Sequence, residues 1–158
     1  MNMENKFELT DNFIINAFGV KLFQIKCTKS FKYAKEGDLG GYVEKDENLD
    51  QESDAWVSGD AWVYGDAQVS GNAQVYGDAE IDNNNKHCGF DCFGSANRHT
   101  HAYLTKENKV EITCGCFHGS IEEFEKRVEE THSGTIYEKQ YKAIIDVIKI
   151  KFGLTDLI

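Results

Sequence analysis

Proline is absent from this chain, so its turns fall to glycine, asparagine and aspartate. Arginine occurs only at Arg98 and Arg127, which leaves bidentate recognition of an anion few places to sit. Bases are scarce overall: 17 lysines and arginines stand against 27 acids, for a formal net charge of -10. A surface that acidic repels a phosphate backbone and argues against polymeric nucleic acid as a partner. No stretch approaches the roughly 20 apolar residues of a membrane span, which argues against a membrane. The opening residues, MNMENKFELTDNF, lack a long apolar run and a cleavage signature, and predict no secretory signal. Five cysteines are an odd count without a secretory context, so reduced thiols in a cytoplasm are expected.

What the chain does have is a repeat. DAWVSGDAWVYGDAQVSGNAQVYGDAEI, residues 54–81, returns every six residues to a glycine, an acid or amide, an alanine and an aliphatic. Val57, Val63, Val69, Val75 and Ile81 keep that spacing, with Ala61, Ala67, Ala73 and Ala79 four residues after successive aliphatics. Neither a helical period nor plain alternation produces six. A fixed short period marks units that bury their faces by stacking on neighbours. Six residues per side and three sides per turn predict a prism of parallel strands, with Val63 and Val69 on its axis and fully buried. Gly-Asp and Gly-Asn pairs supply the corners, because both glycine and asparagine tolerate positive φ. Upstream, Val43 and Leu49 keep the spacing, but Leu49 to Val57 is eight, which predicts a two-residue insertion near DQESD. Trp56, Trp62, Tyr64 and Tyr76 flank the axial positions and are expected to point outward, where exposed aromatics mark an interface.

On either side the pattern changes. Residues 1–36 read as short strands, with a turn at Asn16–Gly19. The repeat occupies 37–82, and residues 83–158 form a further region. There HAYLTKENKVEITCGCF reads as a hairpin turning at Glu107-Asn108. Ser120 and Glu123 form a capping box ahead of Ile121, Phe124 and Val128 at helical spacing, and Gly134 ends that helix. A second helix carries Tyr137, Tyr141, Ile144, Ile148 and Phe152 on one face and stops at Gly153.

The repeat resembles the hexapeptide repeat of left-handed β-helices. FQIKCTKSFKYAKEGDLGGYVE, GDLGGYVEKDENLDQESDAWVSGDA and GCFHGSIEEFEKRVEETH resemble segments of a family of small bacteriophage and prophage proteins of mostly unassigned function. Together these segments span most of the chain, although HCGFDC departs from the pattern. The resemblance implies a phage origin and a β-helix core, and it supplies no activity. The expected fold is mainly β: a short left-handed parallel β-helix, an N-terminal β segment, and a C-terminal hairpin with two helices.

Several chemistries compete. Hexapeptide-repeat acyltransferases resemble one another in carrying a catalytic histidine on the repeat, but here the first histidine is His87, beyond it. His87, Cys88, Cys92, Cys114, Cys116 and His118 are zinc-ligand types, yet their C-x3-C and C-x-C spacings differ from the usual pairs, and cysteines acting as small hydrophobes in a strand pair, with surface histidines, are the much preferred reading over zinc. Cys114 or Cys116 with His118 or His132 suits nucleophilic catalysis only if the fold brings them together. GSANRHTH, residues 94–101, crowds small residues, an amide, an arginine and two histidines into one place, a composition suited to cradling an anion.

The favoured expectation is a non-enzymatic, oligomeric phage protein that binds and sequesters a host nucleotide signal in clefts between subunits, with no metal and no cofactor. Asn97, Arg98, His99 and His101 would grip the anion, and Trp62 or Tyr64 would stack the ring. Arg127 is expected to pair with Glu123 one helical turn away. The expected assembly is a homo-oligomer, with a trimer favoured. A structural or protein-binding role is the alternative, and an acyltransferase-like enzyme ranks third.

Overall fold

The computed structural model describes residues 4–154, which separate into two compact units, Met1–Asn85 and Lys86–Ile158. In the first unit, β1 (Phe7–Ile15) and β2 (Lys21–Cys27) form an antiparallel hairpin. Its turn is tied by Asn16 Oδ1, which accepts from the N–H groups of Phe18 and Val20 at 2.9 and 3.0 Å. β3 (Leu39–Val43) adds antiparallel to β2. The repeat then contributes four strands of two residues each: β4 (Trp56–Val57), β5 (Trp62–Val63), β6 (Gln74–Val75) and β7 (Glu80–Ile81). β5 pairs parallel with β3, and β7 parallel with β5, completing a five-stranded mixed sheet. β4 and β6 form a separate parallel pair, and Leu49 bridges Val69 in the same sense.

The register confirms the insertion. Val57 lies beside Val75 and Val63 beside Ile81, eighteen positions apart. Val43 lies beside Val63 and Leu49 beside Val69, twenty apart, and those two intervals contain the irregular DQESD segment. Corner glycines 59, 65, 71 and 77 all have φ between 61 and 68°, a conformation that costs a side chain but not glycine. Val57, Val63, Val69, Val75 and Ile81 have no exposed surface, and the alanines between them are equally closed.

Two expectations are corrected here. The fold class is mixed α/β, with antiparallel and mixed sheets and two helices, in place of a mainly β chain built on a left-handed β-helix. The physical reason is that a corner every six residues leaves only two residues per unit free to pair. The repeat therefore supplies short rungs to two small sheets, one of them shared with the N-terminal hairpin, and the remaining chain folds by antiparallel pairing. The second correction concerns the aromatics. Trp56 is 3% exposed and Tyr64 5%, while Trp62 and Tyr76 are half-buried. The Phe31 ring packs edge-on against Trp56, with centroids 5.2 Å apart, so part of the outward face is covered by the chain itself. Tyr64 donates its hydroxyl to Glu80 Oε1 at 2.7 Å.

Polar clamps hold the first unit. Lys6, 4% exposed, donates its Nζ protons to the carbonyls of Ser53 and Ala55, the latter at 2.6 Å. Burial lowers its pKa to about 8 against the opposing pull of Asp50 and Asp54. Asn48 has no exposed surface, and its side chain donates to the carbonyls of Gly65 and Ala67 at 3.2 and 2.9 Å. Each clamp satisfies backbone carbonyls that lie between the short strands and outside their ladders.

The second unit is a four-stranded antiparallel sheet and two helices. β8 (His87–Phe93), β9 (Arg98–Leu104), β10 (Val110–Cys114) and β11 (Phe117–Ser120) lie in the order β11-β10-β9-β8. α1 (Ile121–His132) begins at the expected capping box: Ser120 Oγ accepts from the Glu123 N–H, and Glu123 Oε1 from the Ser120 N–H, both at 3.1 Å. α2 (Ile136–Lys151) follows after Gly134 at φ 78°. Ala102, Ile112, Cys114 and Phe117 from the sheet pack with Phe124, Val128, Tyr141, Ile144 and Ile148 from the helices. Among the described residues, no helix is long and apolar enough to cross a membrane.

Candidate anion-binding site

Strand alternation decides which side chains meet in the second unit. Cys88, Phe90, Ala102, Leu104, Ile112 and Cys114 belong to the apolar cluster beneath the helices. Their neighbours in sequence point the other way. That opposite face is polar and holds four of the five histidines. His87 Nδ1 lies 2.9 Å from His101 Nε2, His101 Nδ1 lies 3.0 Å from His99 Nε2, and His99 Nδ1 lies 2.6 Å from Asp91 Oδ1. One set of neutral tautomers satisfies the row, each Nδ1–H donating toward Asp91. Burial lowers the pKa of His87 to about 4 and that of His101 well below the ordinary value, with like-charged neighbours adding to each shift. Further along the same face, His118 Nε2 is 3.0 Å from the Tyr103 hydroxyl and 3.1 Å from Glu111 Oε2.

Arg98 lies on the helix side, at the start of β9. With Arg127 it lines a pocket of about 120 Å³, whose other walls include Cys114, Cys116, Thr131, His132 and Tyr141. Both arginines of the chain therefore open into one hollow. Arg98 is placed by the β10–β11 turn: its guanidinium lies against Gly115, at φ +59°, where an added Cβ would come within 2.6 Å of Nη1. Arg127 lies over the Phe117 ring, 5.5 Å from its centroid. In place of the expected Arg127–Glu123 pair, the guanidinium lies over Phe117 and Glu123 Oε1 accepts from the Ser120 N–H in the capping box.

The floor is fixed by α2. His132 stacks on Tyr141 at 5.5 Å and 28°, and the Cys114 thiol contacts the Tyr141 hydroxyl at 3.8 Å. Thr100 Oγ1 donates to Cys114 Sγ at 3.3 Å. Burial pushes the Tyr141 phenol above its ordinary value, the Cys114 contact adds to this, and Arg98 opposes it. All five cysteines are free thiols; Cys114 is buried and Cys116 exposed. Among the described residues, no three of His, Cys, Asp and Glu are disposed to hold a metal ion.

The residues expected to act together are thus distributed. Asn97, at φ 50°, shapes the turn before β9, and Arg98 enters the pocket. His99 and His101 belong to the histidine row on the other face. Trp62 and Tyr64 lie in the first unit, where Tyr64 is buried and bonded to Glu80. Sequence reading missed Arg127 as a partner for Arg98. The available signal was its place on the α1 turn between Phe124 and Val128, both core residues.

A wider hollow of about 650 Å³ opens beside Lys6 in the first unit. Its buried cation already bonds two carbonyls, and Glu4, Glu52 and Asp54 line its walls, so it is a poor host for an anion. No known family's profile matches the chain, and no curated protein is similar to it.

Proposed function

We propose that this protein is a non-enzymatic binder of a small phosphate-bearing molecule, held by its phosphoryl group at Arg98 and Arg127. The observation that carries the reading is that the only two arginines of a chain with net charge -10 line one pocket. Two guanidiniums supply forked donors suited to an oxyanion. The chain's overall acidity repels a polyanion, while a local pair of cations attracts a single phosphate. A volume of about 120 Å³ suits a phosphoryl group and is below the roughly 300 Å³ at which pockets begin to enclose a drug-sized ligand. The remainder of a nucleotide would lie outside the pocket, against the protein surface. Sequestration of a nucleotide signal in a bacterial cytoplasm during phage infection is the biological setting this chemistry suits.

The test is calorimetric titration of wild type and Arg98→Ala with inorganic phosphate and a panel of linear and cyclic nucleotides. A charge-assisted hydrogen bond contributes roughly 1.5–3 kcal/mol, so Arg98→Ala is expected to weaken binding about ten- to a hundredfold. Wild-type protein that binds none of the panel would favour a structural role.

A further inference from the structure

We propose that α2 carries a self-association seam, and that its occupant is α2 of a second copy of this chain in antiparallel orientation. The helix has two apolar faces. Tyr141, Ile144, Ile145 and Ile148 are buried in their own unit. On another face Ile136 is 65% exposed, Val147 49% and Ile150 59%, with Ala143 also exposed. Just past the Gly153 stop, Leu154 is 56% exposed.

These positions fall on a heptad. Ile136, Ala143 and Ile150 occupy d, while Gln140 and Val147 occupy a, spaced alternately by four and three. That spacing is the seam of a two-stranded coiled coil, and no part of a helix's own core requires it. Gln140 is the polar exception, and its side chain accepts from the Gly94 N–H at 2.9 Å within its own unit.

Charge selects the partner and its direction. Lys139 and Asp146 take successive g positions, and both are exposed. A two-fold axis perpendicular to two antiparallel helices brings one g edge against the other. Centred near Ala143, it sets Lys139 of each copy opposite Asp146 of its partner, giving two complementary pairs and no like-charge contact. A parallel pair would set Lys139 against e position 144, whose isoleucine is buried in its own core. Two other lysines of the helix have partners at home: Lys142 with Glu129 and Glu138, and Lys149 with Glu125. The seam from Ile136 to Ile150 is only about 21 Å long at 1.5 Å per residue, so the dimer is expected to be weak, with a dissociation constant in the micromolar range. The inference is independent of the anion pocket.

Sedimentation velocity over a concentration series tests it, with far-ultraviolet circular dichroism to confirm folding. Wild type is expected to pass from monomer to dimer as concentration rises. Ile150→Asp should stay monomeric with its helical signal intact, since the replaced side chain is exposed. Lys139→Glu should weaken the dimer about tenfold, and Lys139→Glu with Asp146→Lys should restore it. A strictly monomeric wild type, even one that captures another protein through α2, would overturn the proposal, as would a trimer or an Ile150→Asp dimer. If the double charge swap failed to restore what Lys139→Glu removed, the antiparallel arrangement would be wrong.

Discussion

The two units use sequence in opposite ways. In Met1–Asn85, a six-residue period sets the core one residue at a time, and Val57, Val63, Val69, Val75 and Ile81 are buried because of where they recur. In Lys86–Ile158 the six-residue repeat is absent, and the contacts that shape the candidate site join residues apart in sequence: Arg98 to Gly115, Cys114 to Tyr141, Phe117 to Arg127. The repeat builds a stack with few polar options. The irregular unit sorts its sheet into an apolar face under the helices and a histidine face opposite, and it places both arginines in one hollow. In this chain, the six-residue repeat accounts for one core, and the candidate site comes from the unit that lacks it.

The strongest way to break that contrast is to damage one core and read both. Both tryptophans, Trp56 and Trp62, lie in the first unit, and both α-helices in the second. Val69→Asp places an unpaired carboxylate where no surface is exposed, a cost of several kcal/mol against a small domain's total of about 5–15 kcal/mol. Tryptophan fluorescence should report loss of the first unit while the 222 nm helical signal persists. Ile148→Asp should do the reverse. If either variant abolished both signals at once, the two units would be folding as one.

A smaller effect probes the clamps. Lys6→Met keeps the apolar stem but leaves the Ser53 and Ala55 carbonyls without their donor, and should cost about 2–3 kcal/mol by chemical denaturation. A loss restricted to fluorescence would place the damage in the first unit.

Acid should act on the other unit. His87 and His101 are neutral when folded at pH values where an unfolded histidine takes up a proton. Between about pH 6.5 and 4 the unfolded chain therefore binds more protons, and stability falls as pH falls, by about 1.4 kcal/mol per pH unit for each proton. Denaturation followed at 222 nm should show this slope, and His101→Gln should reduce it.

How much of this was legible follows from the same contrast. The axial valines, the two-residue slip after Leu49, the Ser120–Glu123 box and the Gly134 stop were readable, because each is set by residues close in sequence. The aromatics misled: Trp56 and Tyr64 do flank the axis, but Phe31 and Glu80 cover or bind them, and the repeat alone carries no sign of that. The fold class was misjudged because the repeat dominates the sequence while giving only two residues per strand to pairing. Lys6 and Asn48 reach carbonyls 17 to 49 residues away, a reach no local pattern records. Arg98, His99 and His101 looked like one cluster because they adjoin in sequence; the strand that begins at Arg98 separates them onto two faces, and alternation alone would have revealed it.

The account's central claim is that Arg98 and Arg127 grip the same anion. Phosphorus NMR titration of AMP into wild type, Arg98→Ala and Arg127→Ala tests it most directly, since truncating these exposed side chains should leave both cores intact. Comparable weakening in the two variants, about tenfold or more in each, is the predicted result. Wild-type affinity in Arg127→Ala, with binding lost in Arg98→Ala, would show that the two arginines do not share a ligand and would contradict the account.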